Sequence, residues 1–224
     1  PFLAKLYPKA KYIVLTRHPA AIFSSYANSF FDGDYAAAVQ FNPILSRYIP
    51  AMASFLRDSS IQKHHVSYEE IATEPERVLE QLSSFLEIPY EPDAVNYQSK
   101  DVAQGLGDPL GVHKHTRPVA DSIHKWAPEL VCDKAKFEHV AKQLASVQDE
   151  DLETWGVPKE QLWLPLEQLS EADGAKQYAS RKKEWNRYLL TRKALIWLRR
   201  DIHTKPLGGM VRKIRFYCDV LLRG

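Results

Sequence analysis

Lys11-Tyr12-Ile13-Val14-Leu15-Thr16-Arg17-His18-Pro19-Ala20-Ala21-Ile22-Phe23-Ser24-Ser25 is the stretch on which the fold turns. Lys11 to Thr16 is a short apolar, β-branched run of the kind suited to a buried parallel strand. Pro19 fits the first position of a helix, and the segment through Phe31 carries that helix on. The unit is therefore strand, tight loop, helix. In a parallel α/β sheet, ligands bind beyond the carboxyl ends of the strands, where backbone N–H groups at helix N-termini favour phosphate. Arg17 stands at that place, with Ser24 and Ser25 about two turns into the helix. A guanidinium can grip a phosphate through two N–H groups, and a serine can add a third hydrogen bond. Taken alone, an Arg after one apolar strand is equally compatible with a structural ion pair.

Outward from this unit, Asp32-Gly33-Asp34 breaks the pattern, and Tyr35 to Leu56 reads as helix interrupted at Pro43 and Pro50. His65-Val66-Ser67-Tyr68 is a second strand candidate. A helix follows from Glu74 to Leu86, with Val78, Leu82, Phe85 and Leu86 on one face and Pro75 at its start. Residues 87–125 hold Pro89, Pro92, Gly105, Gly107, Pro109, Gly111 and Pro118, so a long loop is expected, and such loops inside a compact domain are functional or disordered. A helix from about Asp133 to Val147 and a turn-rich boundary from Trp155 to Leu169 complete the body. Strands alternating with helices give an α/β fold with a parallel sheet flanked by helices.

The composition, 45% hydrophobic and 26% charged, belongs to a globular chain, and no run approaches the roughly 20 apolar residues that span a bilayer. The first residues lack the order of a secretory signal, which points to a cytoplasmic location. Cys132 and Cys218 show neither Cys-x-x-Cys nor zinc spacing and read as free thiols in a reducing compartment. Charge is unevenly spread: residues 175–224 carry 14 Lys/Arg against Glu184, Asp201 and Asp219, leaving 25 acidic and 16 basic side chains before them. The tail thus faces an anionic partner and the body does not.

The Arg17-His18-Pro19 segment with a serine eight residues after the arginine, Ser25, resembles the 3′-phosphate motif of the sulfotransferases that use 3′-phosphoadenosine 5′-phosphosulfate (PAPS); Ser24 is one residue short of that spacing. Lys5 to Ile13 resembles the family's lead-in to that strand. Val66-Ser67-Tyr68-Glu69-Glu70-Ile71, followed by Glu74-Pro75-Glu76 and Phe85-Leu86, resembles its tyrosine-acid segment, in which the tyrosine contacts adenine. Gly105-Leu106-Gly107-Asp108-Pro109, His113, Lys114, His115 and Lys125-Trp126 resemble the loop that closes over the nucleotide in bacterial members, and look closest to sulfotransferase domains of polyketide assembly lines. The resemblance implies a P-loop-like sulfotransferase fold over residues 1–165 with a basic helical extension over 166–224. It implies PAPS or its product PAP as co-substrate, and a hydroxyl on a small molecule, acyl chain or carbohydrate as acceptor. Arg17, Ser25, Tyr68, Gly107, His113 and Lys114 are the implied nucleotide contacts.

Family members also carry a strand and phosphosulfate-binding loop, and a His or Glu base, ahead of the lead-in. Neither stands in these 224 residues, so an N-terminal segment is expected upstream, the catalytic residue is unassigned, and this chain alone is expected to bind without turnover. His113 and His115 flank Lys114 without a third ligand, so a basic lid is expected and a metal is not. His64-His65 reads as structural and Trp126 as core, while Asn28, Phe30 and Phe31 suit either packing or an acceptor pocket. In the tail, 181–200 and 210–222 are basic and amphipathic, and fit an anionic membrane surface or the acidic body; nucleic acid is not expected. Two other readings stand beside the enzyme: a non-catalytic nucleotide-binding or membrane-docking module, and a P-loop kinase relative, against which the Arg17 to Ser25 spacing with Tyr68 counts.

Overall fold

In the computed structural model, the described residues are 2–96, 115–169 and the single positions 173, 176, 190, 191, 194 and 196. Gly107, His113 and Lys114, expected to close over the nucleotide, and nearly all of the basic tail lie outside them.

The chain opens with helix α1 (Phe2–Leu6) and strand β1 (Tyr12–Thr16), followed by α2 (Pro19–Phe31), α3 (Tyr35–Phe41) and α4 (Ile44–Arg57). Strand β2 (Lys63–Ser67) runs straight into α5 (Tyr68–Thr73) and α6 (Pro75–Leu86); after the loop come α7 (Ala127–Cys132), α8 (Lys134–Leu144), α9 (Asp149–Trp155) and α10 (Leu164–Glu167). Short 3₁₀ turns stand at Pro92–Val95, Ala120–Ser122 and Lys159–Gln161. Among the described residues the sheet has two strands, parallel, with Val14 opposite His65 and Thr16 opposite Ser67. The fold is α/β, as the strand and helix alternation predicts, but predominantly helical.

Partners in a parallel register share a face, so Tyr12, Val14 and Thr16 lie on one side and Ile13 and Leu15 on the other with Val66. Val14 and Thr16 are buried, and Tyr12 meets the edge of Phe55 from α4 at 5.5 Å. The opposite side is covered over β2, where Phe85 of α6 packs on His64, but Ile13 and Leu15 remain 46% and 53% exposed. The expectation of a fully buried strand is corrected: β1 is buried on one face.

The main core lies among the helices. Ala20, Phe23 and Ala27 of α2 bury against Tyr35 and Ala38 of α3, Leu45 and Ile49 of α4, and Leu130, Val140 and Leu152 from the later helices. Proline is less disruptive than its position in the sequence suggests. Pro43 ends up just ahead of α4, whereas the helix continues through Pro50. One backbone donor is lost there, yet Leu45, Ile49 and Ala53 anchor both halves of the helix to the core.

Three local expectations change. Tyr68 is the first residue of α5 rather than a strand residue, because Ser67 and Glu70 close a capping box: Ser67 accepts from the Glu70 N–H and the Glu70 carboxylate accepts from the Ser67 N–H. The helix expected over 133–147 is α8 alone, capped by Asp133 and ended before a turn at 145–147. Two helices, α7 and α9, occupy stretches for which the sequence predicts no element; α9 starts on three acidic residues and ends at Gly156, whose φ is 98°.

Candidate functional site

The site is assembled where β1 and β2 end side by side. β1 delivers Arg17 and His18 to the start of α2, and β2 delivers Tyr68 and Glu69 to the start of α5. Glu69 joins the two strand ends, its Oε1 accepting from the His18 backbone N–H at 3.0 Å. From behind, the Trp155 indole donates to the Arg17 carbonyl at 2.9 Å. The backbone around Arg17 is therefore held from three elements: β1 itself, α5 and α9.

His18 fixes the start of α2. Its Nδ1 accepts from the Ala20 N–H at 3.2 Å, and its Nε2 lies 3.1 Å from the Leu162 carbonyl, which can only accept. Together these contacts require the neutral ring with its proton on Nε2. The ring stacks on Trp126 at 4.3 Å. Burial pushes its pKa down to about 4, the Leu162 carbonyl opposes that shift, and the positive charges of His124 and Arg17 add to it. Trp126 is core, as its sequence context suggests.

The Arg17 guanidinium lies over the Tyr68 ring, its Cζ 4.1 Å from the centroid, and one terminal N–H₂ donates to the Ser122 carbonyl at 3.1 Å. Its Nε is buried and has no hydrogen-bond partner, and no carboxylate pairs with the side chain among the described residues. Among the described residues, no structural ion pair holds Arg17. Tyr68, half-buried, shares a hydrogen bond of 2.5 Å between its hydroxyl and that of Ser122.

The two adjacent serines have different surroundings. Ser24 is 1% exposed and donates to the Glu129 carboxylate at 2.9 Å; Asn28 donates to the same oxygen at 2.7 Å, and Lys136 pairs with the other at 2.7 Å. Burial pushes the Glu129 carboxyl up, but the donors Lys136, Asn28 and Ser24 outweigh it and hold its pKa below the usual range. Ser25 faces outward and is exposed. Asn28 thus belongs to a buried network, while Phe30 and Phe31 pack on Tyr26. His65 shares a 2.8 Å hydrogen bond with the buried Thr16 hydroxyl, a structural role.

The structure therefore brings Arg17 and Tyr68 into direct contact, leaves Ser25 on the open side of α2, and says nothing of Gly107, His113 and Lys114. Sequence reasoning missed Ser122, Trp155 and Glu129. Each acts across more than 100 residues of chain, and no local spacing marks them. Glu69 lay inside the tyrosine-acid segment, but its partner, a backbone N–H, leaves no trace in sequence.

No helix among the described residues is long and apolar enough to cross a membrane, and none of those residues form a cluster of three or more metal-ligating side chains. Neither a curated protein nor a solved structure matches the chain. A family model does: residues 1–92 match the one described as the Sulfotransferase family. These residues contain both strands, the Arg17 turn, helix α2 and Tyr68. Over this segment, 92 of the 224 residues, the chain is similar to the sulfotransferases.

Proposed function

We propose that the chain forms the 3′-phosphate and adenine half of a PAPS-binding site, in an enzyme that transfers a sulfuryl group to an acceptor hydroxyl. The observation that carries this reading is Arg17: a half-buried cation at the end of a parallel strand, with a buried Nε donor unpartnered and no carboxylate beside it among the described residues. Such a group is expensive to keep in place without an anion, and a phosphate supplies both charge and acceptors. In this reading Arg17 and Ser25 hold the 3′-phosphate and the Tyr68 ring lies against adenine. The 105–115 segment with Gly107, His113 and Lys114 covers the donor, and the acceptor is a small molecule, an acyl chain or a carbohydrate. The exposed Ile13 and Leu15 face gives an upstream strand and phosphosulfate loop an apolar surface to pack on.

Calorimetric titration of the chain with PAP beside 5′-AMP, on wild type and Arg17→Ala, tests this. Removing the arginine is expected to weaken PAP by about 2–5 kcal/mol, as for a buried charge pair, and to leave 5′-AMP nearly unchanged. Equal affinity for the two nucleotides in the wild type would overturn the reading.

A further inference from the structure

Ser122 lies 105 residues after Arg17 and 54 after Tyr68, in the 3₁₀ turn Ala120–Ser122, yet it touches both. Its carbonyl accepts from the Arg17 terminal N–H₂ at 3.1 Å, and its hydroxyl shares a 2.5 Å hydrogen bond with the Tyr68 hydroxyl. The turn is itself fixed: the Arg117 guanidinium, five residues earlier, pairs with Glu76 of α6 at 2.6 Å, and Ile123 and Trp126 just after it are buried. A pinned turn thus holds the polar ends of two side chains that meet with the Arg17 guanidinium over the Tyr68 ring.

We infer that Ser122 is a positioning residue of the nucleotide site, and that its hydroxyl, not adenine, is the partner of the Tyr68 hydroxyl. This rests on the donor-site reading above. The phenol is oriented by Ser122 and stacked on Arg17, so what Tyr68 presents to a base is its ring. A ring reads a base by stacking, which is tolerant of base edges, whereas a hydroxyl would read an edge. The two atoms of Ser122 divide the work: the hydroxyl governs the adenine contact through Tyr68, and the carbonyl governs the phosphate contact through Arg17.

That division gives the test. Ser122→Ala removes the hydroxyl and keeps the carbonyl, so the affinities for PAP and 5′-AMP should both fall, by the same factor of about five to ten. Tyr68→Phe should do the same, and the double variant should bind no more weakly than either single one. Ser122→Thr should restore most of the loss, and thermal unfolding of the unliganded variants should stay close to wild type. Arg17→Ala is the contrast, since it should lower PAP alone. Wild-type affinity in Ser122→Ala, or losses that multiply in the double variant, would overturn the role of Ser122 while the donor site stands. A selective loss of PAP in Ser122→Ala would mean the turn had been disturbed as a whole, and would also overturn the division of roles. A wild type that does not distinguish PAP from 5′-AMP defeats the donor-site reading, and this inference with it.

Discussion

Ser24 donates its hydroxyl to the buried carboxylate of Glu129 at 2.9 Å, while its neighbour Ser25 stands exposed on the other side of the same helix. Successive helical residues are about 100° apart, so only one of the pair can face the core. Ser24→Ala should destabilise the fold by about 1.5–3 kcal/mol, the range for a hydrogen bond to a charged group, without a direct effect on ligand. Ser25→Ala should change stability by less than about 0.5 kcal/mol and weaken PAP. Urea unfolding and PAP titration of the two variants separate the roles; the reverse pattern would assign the phosphate to Ser24.

Glu129 and Lys136 tie α7 and α8 to α2 through Asn28 and Ser24. Because Glu129 is fully buried and the Lys136 side chain is 15% exposed, breaking the pair leaves a charge in the interior. Glu129→Leu is expected to lose about 3–5 kcal/mol by urea unfolding, and adding Lys136→Met should recover a part of it. If the double variant is as unstable as the sum of the singles, the pair is not coupled as described.

His18 makes stability depend on acid. The unfolded imidazole takes up its proton near pH 6.5 and the folded one only near 4, so between those values the unfolded chain holds the extra proton. The contribution of neutral His18 is complete above pH 6.5 and declines as pH falls towards 4, by about 3 kcal/mol in all. His18→Asn keeps a side-chain acceptor at the start of α2 but cannot titrate. Its unfolding free energy should fall less steeply than that of the wild type across this window, and parallel curves would refute the assignment.

Gly156 ends α9 in a left-handed conformation, one residue beyond the Trp155 that braces Arg17. A Cβ there would stand 3.6 Å from His65 Cε1, an ordinary contact, so the obstacle to a side chain is the backbone. Gly156→Ala should destabilise by about 1–2 kcal/mol, with Gly156→Asn milder. Thermal unfolding checks this; an unchanged alanine variant would mean that the turn relaxes freely.

Much of the framework was legible because local chemistry decides it. The β-branched run ending at Thr16, the Pro at the first position of α2 and the apolar stripe of α6 all specify their own conformations. Even the misread Tyr68 had its signal, a serine followed three residues later by a glutamate, masked by the strand preference of an aromatic residue. Helix α9 was written in its acidic first turn and its closing glycine, but its seven residues are too few for a periodic pattern to stand out.

The sequence by itself determined the strand, turn and helix that carry Arg17 and the second strand that leads to Tyr68, and residues 1–92 match a sulfotransferase family. Only the tertiary structure decided that these two side chains stack, that Ser122 joins them, that Ser24 rather than Ser25 is buried, and that one face of β1 stays open. The reason is range. Caps, turns and periodicity act over a few residues and leave a local record, whereas the partners of Arg17, Ser24 and Tyr68 arrive from distant segments through packing, which specifies volume and polarity but no spacing along the chain.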